Sequence, residues 1–62
     1  MGPSNDHERE IAVAVDRISS EGNLTIGSVR EVIAGLTFTM AKSDVDFLMH
    51  YIQWRMDNPI GK

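Results

Sequence analysis

The side chains of this 62-residue sequence best suited to acid–base chemistry or metal binding are two histidines and the carboxylates near them. Asp46 and His50 are four residues apart, so a helix places them on one face, and Asp57 continues that stripe. A zinc site needs three or four ligands, and the sequence has no cysteine to supply one. A metal-dependent enzyme would therefore require His7, Asp46 and His50 to converge. We expect no enzymatic activity, no catalytic residue, no metal and no cofactor, and we interpret the Asp46–His50 pair as a solvated helix face.

Helix-ending residues divide the chain into three segments and predict an all-α fold. Asn5 and Glu8 have the spacing of a capping box, which predicts a helix over about residues 6–20. Gly22 can adopt the left-handed conformation that ends it. Thr25 is the expected cap of a second helix of about ten residues, which Gly35 ends.

The remaining sequence predicts a connector and the longest helix. Residues 36–40 alternate apolar and hydroxyl side chains, but no second candidate strand exists to pair with them, so we predict a connector. Ser43 is the expected cap of the third helix, and Asn58 before Pro59 ends it. The prediction is a compact three-helix domain over residues 6–58. Residues 1–5, which are compatible with a cloning remnant, and residues 59–62 are expected to be flexible.

The third helix has more apolar surface than a chain of this size can bury by itself. At about 100° per residue, two apolar stripes lie on nearly opposite sides of the helix. One stripe contains Val45, Leu48, Met49, Ile52 and Met56. The other stripe contains Phe47, Tyr51 and Trp54. One stripe must therefore be covered by another molecule or remain exposed.

Large aromatic side chains are frequent anchors of protein interfaces, so we predict that the second stripe contacts a partner. The predicted interface consists of Phe47, Tyr51, Trp54, Met40 and Met56. In an alternative assignment Trp54 is the centre of the core and the Val45 stripe is exposed. Both assignments predict association, with a second copy of the chain in a homodimer, with another protein, or with both.

Composition favours a soluble cytoplasmic protein and disfavours nucleic acid. Nine acidic against six basic residues give a net charge of −3, which repels phosphates at long range. The absence of cysteine fits a reducing compartment. No apolar run approaches the roughly 18 residues of a membrane span, and the first residues do not resemble a signal peptide.

A DNA-binding function is the main alternative. Thr25, Val29 and Ile33 have the pattern of the second helix of a helix-turn-helix domain. The segment from Arg17-Ile18 through Glu21-Gly22 to Ile33, with Trp54-Arg55, is similar to the N-terminal domain of KfrA-type plasmid proteins. That resemblance implies DNA binding, for which the candidate contacts are Arg30, Lys42 and Arg55.

A second resemblance extends over roughly residues 8–57. It rests on residues 10–15 with Ile18, on Gly22-Asn23-Leu24-Thr25 with Ser28-Val29 and Ile33, and on Ser43-Asp44-Val45 with Ile52. The chain resembles the small bacterial AriR family of acidic helical dimers. This implies a connector between signalling pathways that regulates biofilm formation and acid resistance. We therefore predict a small regulatory protein that acts by binding other proteins, with no covalent step.

Overall fold

The computed structural model describes residues 5–60, and it is all-α, as predicted. The described residues form three α-helices: α1 (Asp6–Ser20), α2 (Val29–Ala34) and α3 (Lys42–Asp57). A 3-10 turn at Ile26–Ser28 leads directly into α2. No strand occurs within residues 5–60, and α3 is the longest helix at 16 residues. The expectations for residues 1–4, 61 and 62 lie outside this range.

Both ends of α1 follow the predicted local chemistry. The side chain of Asn5 accepts a hydrogen bond of 2.8 Å from the backbone N–H of Glu8, which satisfies one free donor of the first turn. At the other end Gly22 has a φ of +79°, and its N–H donates to the carbonyl of Ser19. This left-handed residue lets the chain leave α1 and turn back.

Ser28 organises the turn that begins the second helical segment. Its hydroxyl accepts a hydrogen bond from the backbone N–H of Thr25 at 3.0 Å and donates to the carbonyl of Asn23 at 3.3 Å. The side chain is buried, so these bonds satisfy its polar atoms inside the protein. Thr25 precedes the segment and Gly35 follows it, as predicted, although its first turn is 3-10 rather than α-helical.

The connector between α2 and α3 is held against α1. The carboxylate of Glu10 accepts hydrogen bonds from the N–H of Thr37 at 2.6 Å and from its hydroxyl at 2.9 Å. Leu36, Phe38 and Met40 alternate with the threonines and pack against the core. The alternation therefore reflects a connector with one apolar side, and the prediction that it is not a strand is confirmed.

The N-cap of α3 is Ala41, two residues before the predicted cap Ser43. The helix begins at Lys42, and Asp44 rather than Ser43 supplies the capping side chain, because its carboxylate accepts a hydrogen bond of 2.9 Å from the N–H of Ala41. Asp44 is buried and also lies 3.2 Å from Nδ1 of His7. The bond from Ala41 outweighs the effect of burial and, helped by His7, lowers the pKa of Asp44.

Helices α1 and α3 run parallel. Residues near the beginning of α1 contact residues near the beginning of α3, and later residues contact later ones. His7 meets Asp44 near the two N-termini, and Asp16 meets Tyr51 and Arg55 further along. The 3-10 turn, α2 and the connector return the chain between them. The core contains Ile11, Ala12, Val15, Val32, Leu48, Tyr51 and Ile52.

Candidate association surface on α3

The buried side of α3 lies between the two apolar stripes that the sequence predicts. Leu48 and Ile52 are fully buried, and so, within a few per cent, is Tyr51 from the opposite stripe. The prediction that one whole stripe is core and the other interface is therefore wrong. Helix α3 packs along α1 and also contacts α2, so the buried part of its surface is centred between the two stripes. Each stripe therefore contributes to the core only the residues on the edge that faces the other stripe.

The five residues of the predicted interface separate into two groups. Tyr51 is only 5% exposed and belongs to the core, so it cannot serve as a partner contact in this fold. Phe47 and Met40 are half-buried and pack against the core as well. Trp54 and Met56 remain accessible, with 37% and 40% of their surface exposed.

A polar cluster explains why Tyr51 is buried. Its hydroxyl donates a hydrogen bond of 2.8 Å to the carboxylate of Asp16 on α1. The guanidinium of Arg55 donates to the same carboxylate oxygen at 3.0 Å and to the tyrosine hydroxyl at 3.1 Å. These three side chains close a triangle that joins α1 to α3. Burial, with the Asp16 carboxylate, raises the pKa of Tyr51, and the hydrogen bond to Tyr51 raises the pKa of Arg55.

Arg55 also covers part of Trp54. The guanidinium carbon lies 4.4 Å from the centre of the indole ring, within the range of a cation–π contact. The third nitrogen of the group donates to the carbonyl of Asn58 at 3.0 Å. All three nitrogens are thus engaged inside the protein, which weakens Arg55 as a phosphate contact.

Lys42, another candidate DNA contact, does not form one patch with Arg55. Lys42 is exposed at the opposite end of α3, about 20 Å away along the helix axis. Arg30 is exposed on α2, a different helix. The structure therefore shows no continuous basic surface along α3.

Three apolar side chains of α3 face solvent in a line, and we call them the α3 stripe: Val45, Met49 and Met56. Each is between 40% and 42% exposed. At about 100° per residue they fall within roughly 40° of one another around the helix. Helical periodicity groups these residues with Leu48 and Ile52 in the stripe that the main assignment predicts to be buried, but only Leu48 and Ile52 are buried. The side chains of this line could be covered by a single elongated partner surface.

A polar flank borders the α3 stripe on its solvent side: Lys42, Asp46, Gln53 and Asp57. All four residues are exposed. His50 lies beyond this flank, and its Nδ1 is 2.9 Å from the backbone carbonyl of Asp46, to which it donates when it carries the proton. The predicted Asp46–His50 pair therefore involves the backbone of Asp46 rather than its carboxylate.

An open cleft of about 470 Å³ lies where α1 and α3 end. Leu24, Met56 and Ile60 give it apolar walls, and the chain around Gly22 forms another side. Arg55 also lines it, but its guanidinium is engaged as described above. The cleft continues the α3 stripe through Met56 and enlarges the apolar surface at this end of the molecule.

The opposite end of the molecule carries the remaining histidine. The imidazole of His7 stacks on Phe38, with ring centres 3.9 Å apart and planes 11° from parallel, while Nδ1 contacts Asp44. Within residues 5–60 no three His, Cys, Asp or Glu side chains are grouped so that they could hold a metal ion. His7, Asp46 and His50 thus do not converge. Among the described helices, none is both long enough and apolar enough to cross a membrane.

Comparison with known proteins adds no further constraint on the use of this surface. No protein-family model, curated protein or solved structure matches the chain. The function must therefore be inferred from the exposed side of α3 itself.

Proposed function

We propose that this chain is a small non-enzymatic regulatory protein that acts by protein–protein association through the exposed side of α3. It forms a homodimer and presents the same surface to a regulatory partner. The observation that carries this proposal is the α3 stripe, three apolar side chains aligned on the longest helix and each about 40% exposed. The apolar cleft beside Met56 extends this surface, whereas Trp54, which is 37% exposed, lies on the opposite side of α3.

The size of the stripe indicates a weak and reversible association. Complete burial of such a side chain is worth about 1.5–3 kcal/mol, so covering the remaining two fifths contributes roughly 0.6–1.2 kcal/mol each. Six side chains from two copies then contribute about 4–7 kcal/mol. Association itself costs at least about 4 kcal/mol. At most about 3 kcal/mol remains, so the stripe alone supports a dissociation constant of roughly 5 mM at best, and polar contacts must supply any tighter binding. A dimer of this strength can exchange for a regulatory partner.

Sedimentation equilibrium up to about 1 mM protein tests the proposal. We expect the wild-type chain to dimerise and Met49→Glu to weaken the dimer at least about tenfold, because the new carboxylate would be buried in the contact. Val13→Glu is the matched control. Val13 is 53% exposed and lies on the side of α1 opposite its buried residues, so the same change in charge should leave the dimer intact.

Two results would overturn the proposal. One is a strictly monomeric wild-type protein at the highest concentration. The other is an equal effect of the Met49 and Val13 substitutions, which would show that net charge rather than the α3 stripe controls association.

A further inference from the structure

We infer that two copies associate through α3 in an antiparallel, two-fold symmetric contact, in which Lys42 of each copy pairs with Asp57 of the other. This inference rests on the proposed function and specifies its geometry. The observation that supports it is the order of charges on the polar flank. When two copies of α3 lie antiparallel, the charges of one flank face opposite or neutral groups of the other.

The spacing of the flank is symmetric about the middle of α3. Lys42, Asp46, Gln53 and Asp57 follow one another at intervals of four, seven and four residues. They fall within a sector of about 60° around the helix. Reversal about the midpoint, between Met49 and His50, therefore places Lys42 opposite Asp57 and Asp46 opposite Gln53. Each pair joins a cation to an anion or a carboxylate to an amide, and no like charges meet.

The apolar stripe is compatible with the same symmetry. A two-fold axis perpendicular to both helices keeps the flank on the same side of the contact in both copies, so the two flanks meet each other. Val45 of one copy then approaches Met56 of the other, while the two Met49 side chains lie near the axis. The contact covers the length of α3, because Lys42 and Asp57 are its first and last residues.

A parallel arrangement loses this complementarity. In a parallel dimer the two-fold axis runs in the direction of the helices. The polar flank of one copy would then lie beside the border of the other copy's α3 stripe that is farther from its own flank. That border is formed by Leu48 and Ile52, which are fully buried in the core. Lys42 and Asp57 would then have no polar counterpart, and the two helix dipoles would be aligned unfavourably.

Disulfide formation between variants tests the orientation, and the absence of native cysteine makes the result unambiguous. Asp46→Cys and Gln53→Cys keep the Lys42–Asp57 pair and lie at exposed positions. The two variants are mixed in a glutathione redox buffer at concentrations where the wild type dimerises, and the products are identified by mass spectrometry. We expect the mixed disulfide to exceed its statistical share. Homodisulfides at or above their statistical share would overturn the antiparallel contact.

Charge exchange provides a second, independent measurement. Lys42→Glu and Asp57→Lys should each weaken the dimer about threefold to tenfold in sedimentation equilibrium, because the symmetric contact contains each pair twice. The variant that carries both Lys42→Glu and Asp57→Lys should recover the wild-type dimer affinity. Added salt should reduce the differences in affinity between these variants and the wild type. Arg30→Glu, an exposed site on α2, is the charge control.

The outcomes separate the two proposals. A wild-type dimer with homodisulfides, or without recovery in the double exchange, refutes the antiparallel contact and leaves association through α3 intact. A wild type that is monomeric throughout refutes the proposed function as well. Circular dichroism of each variant verifies that the helices are retained.

Discussion

Replacing Tyr51 by phenylalanine tests whether this residue is a core element rather than an interface anchor. The change removes one hydroxyl and keeps the ring among the buried residues. A hydrogen bond to a charged group contributes about 1.5–3 kcal/mol. The Asp16 side chain is 36% exposed and keeps its contact with Arg55, so water and arginine replace part of the lost interaction. We therefore expect a loss of about 1 kcal/mol in unfolding free energy, or a melting temperature roughly 4–8 °C lower.

A double-mutant cycle with Asp16→Ala, which removes the acceptor of the tyrosine hydroxyl, isolates this contact. Urea unfolding of the wild type, both single variants and the double variant, at several protein concentrations, separates monomer stability from dimerisation. We expect a coupling energy of about 0.5–1 kcal/mol and an unchanged dimer dissociation constant. The burial of Tyr51 would be refuted by zero coupling together with a weakened dimer, since that combination places the hydroxyl in the interface.

The pH dependence gives an independent measure of the same contact. The pKa of Tyr51 is raised in the folded protein by burial and Asp16. Its contribution to stability is therefore fully present below about pH 10 and is lost as the pH rises through the higher folded value. Because Tyr51 is the single tyrosine, tyrosinate absorbance reports this group alone. Tyr51→Phe should remove that component of alkaline destabilisation.

Two further substitutions test the ends of the helices. Asp44→Asn should lower the melting temperature at neutral pH, and the difference from wild type should shrink as the pH falls below about 4, because a carboxyl with a lowered folded pKa stabilises only while it is ionised. A difference that persists at low pH would instead indicate a loss of packing. Gly22→Ala should cost about 1 kcal/mol in urea unfolding, since φ is +79° there and no neighbouring atom lies within 4 Å of an added Cβ. Unchanged stability would contradict the left-handed end of α1.

The elements of the fold were predictable because local chemistry sets their ends. Asn5 caps α1 through a bond to the third residue along, and Gly22 ends it with a conformation that glycine adopts readily. Gly35 ends α2 and Asn58 follows α3. The one displaced end, at α3, involves Asp44, whose side chain reaches back to Ala41. A carboxylate three residues after the cap is a sequence signal that could have identified this start.

The burial of α3 could not be derived from periodicity alone. When a helix contacts two other elements, the side that it buries depends on where those elements lie. The connector is positioned by contacts between residues far apart in sequence, such as Glu10 with Thr37, and α2 is joined to it. The position of Tyr51 also depends on Asp16, which is 35 residues away in sequence. Arg55 lies one turn after Tyr51, a spacing compatible with a shared carboxylate partner, but the sequence does not specify which of several acids fills that role.

The parallel arrangement of α1 and α3 explains why the outer side of α3 lacks cover. The intervening segment must return the chain across the molecule, and its helix α2 has only six residues, or about 9 Å of length. Helix α3 has 16 residues and is about 24 Å long. A helix as short as α2 cannot cover the stripe from Val45 to Met56, which extends over roughly 16 Å. A second α3 matches this length along its whole course, whereas a shorter partner helix would leave one end of the stripe in water.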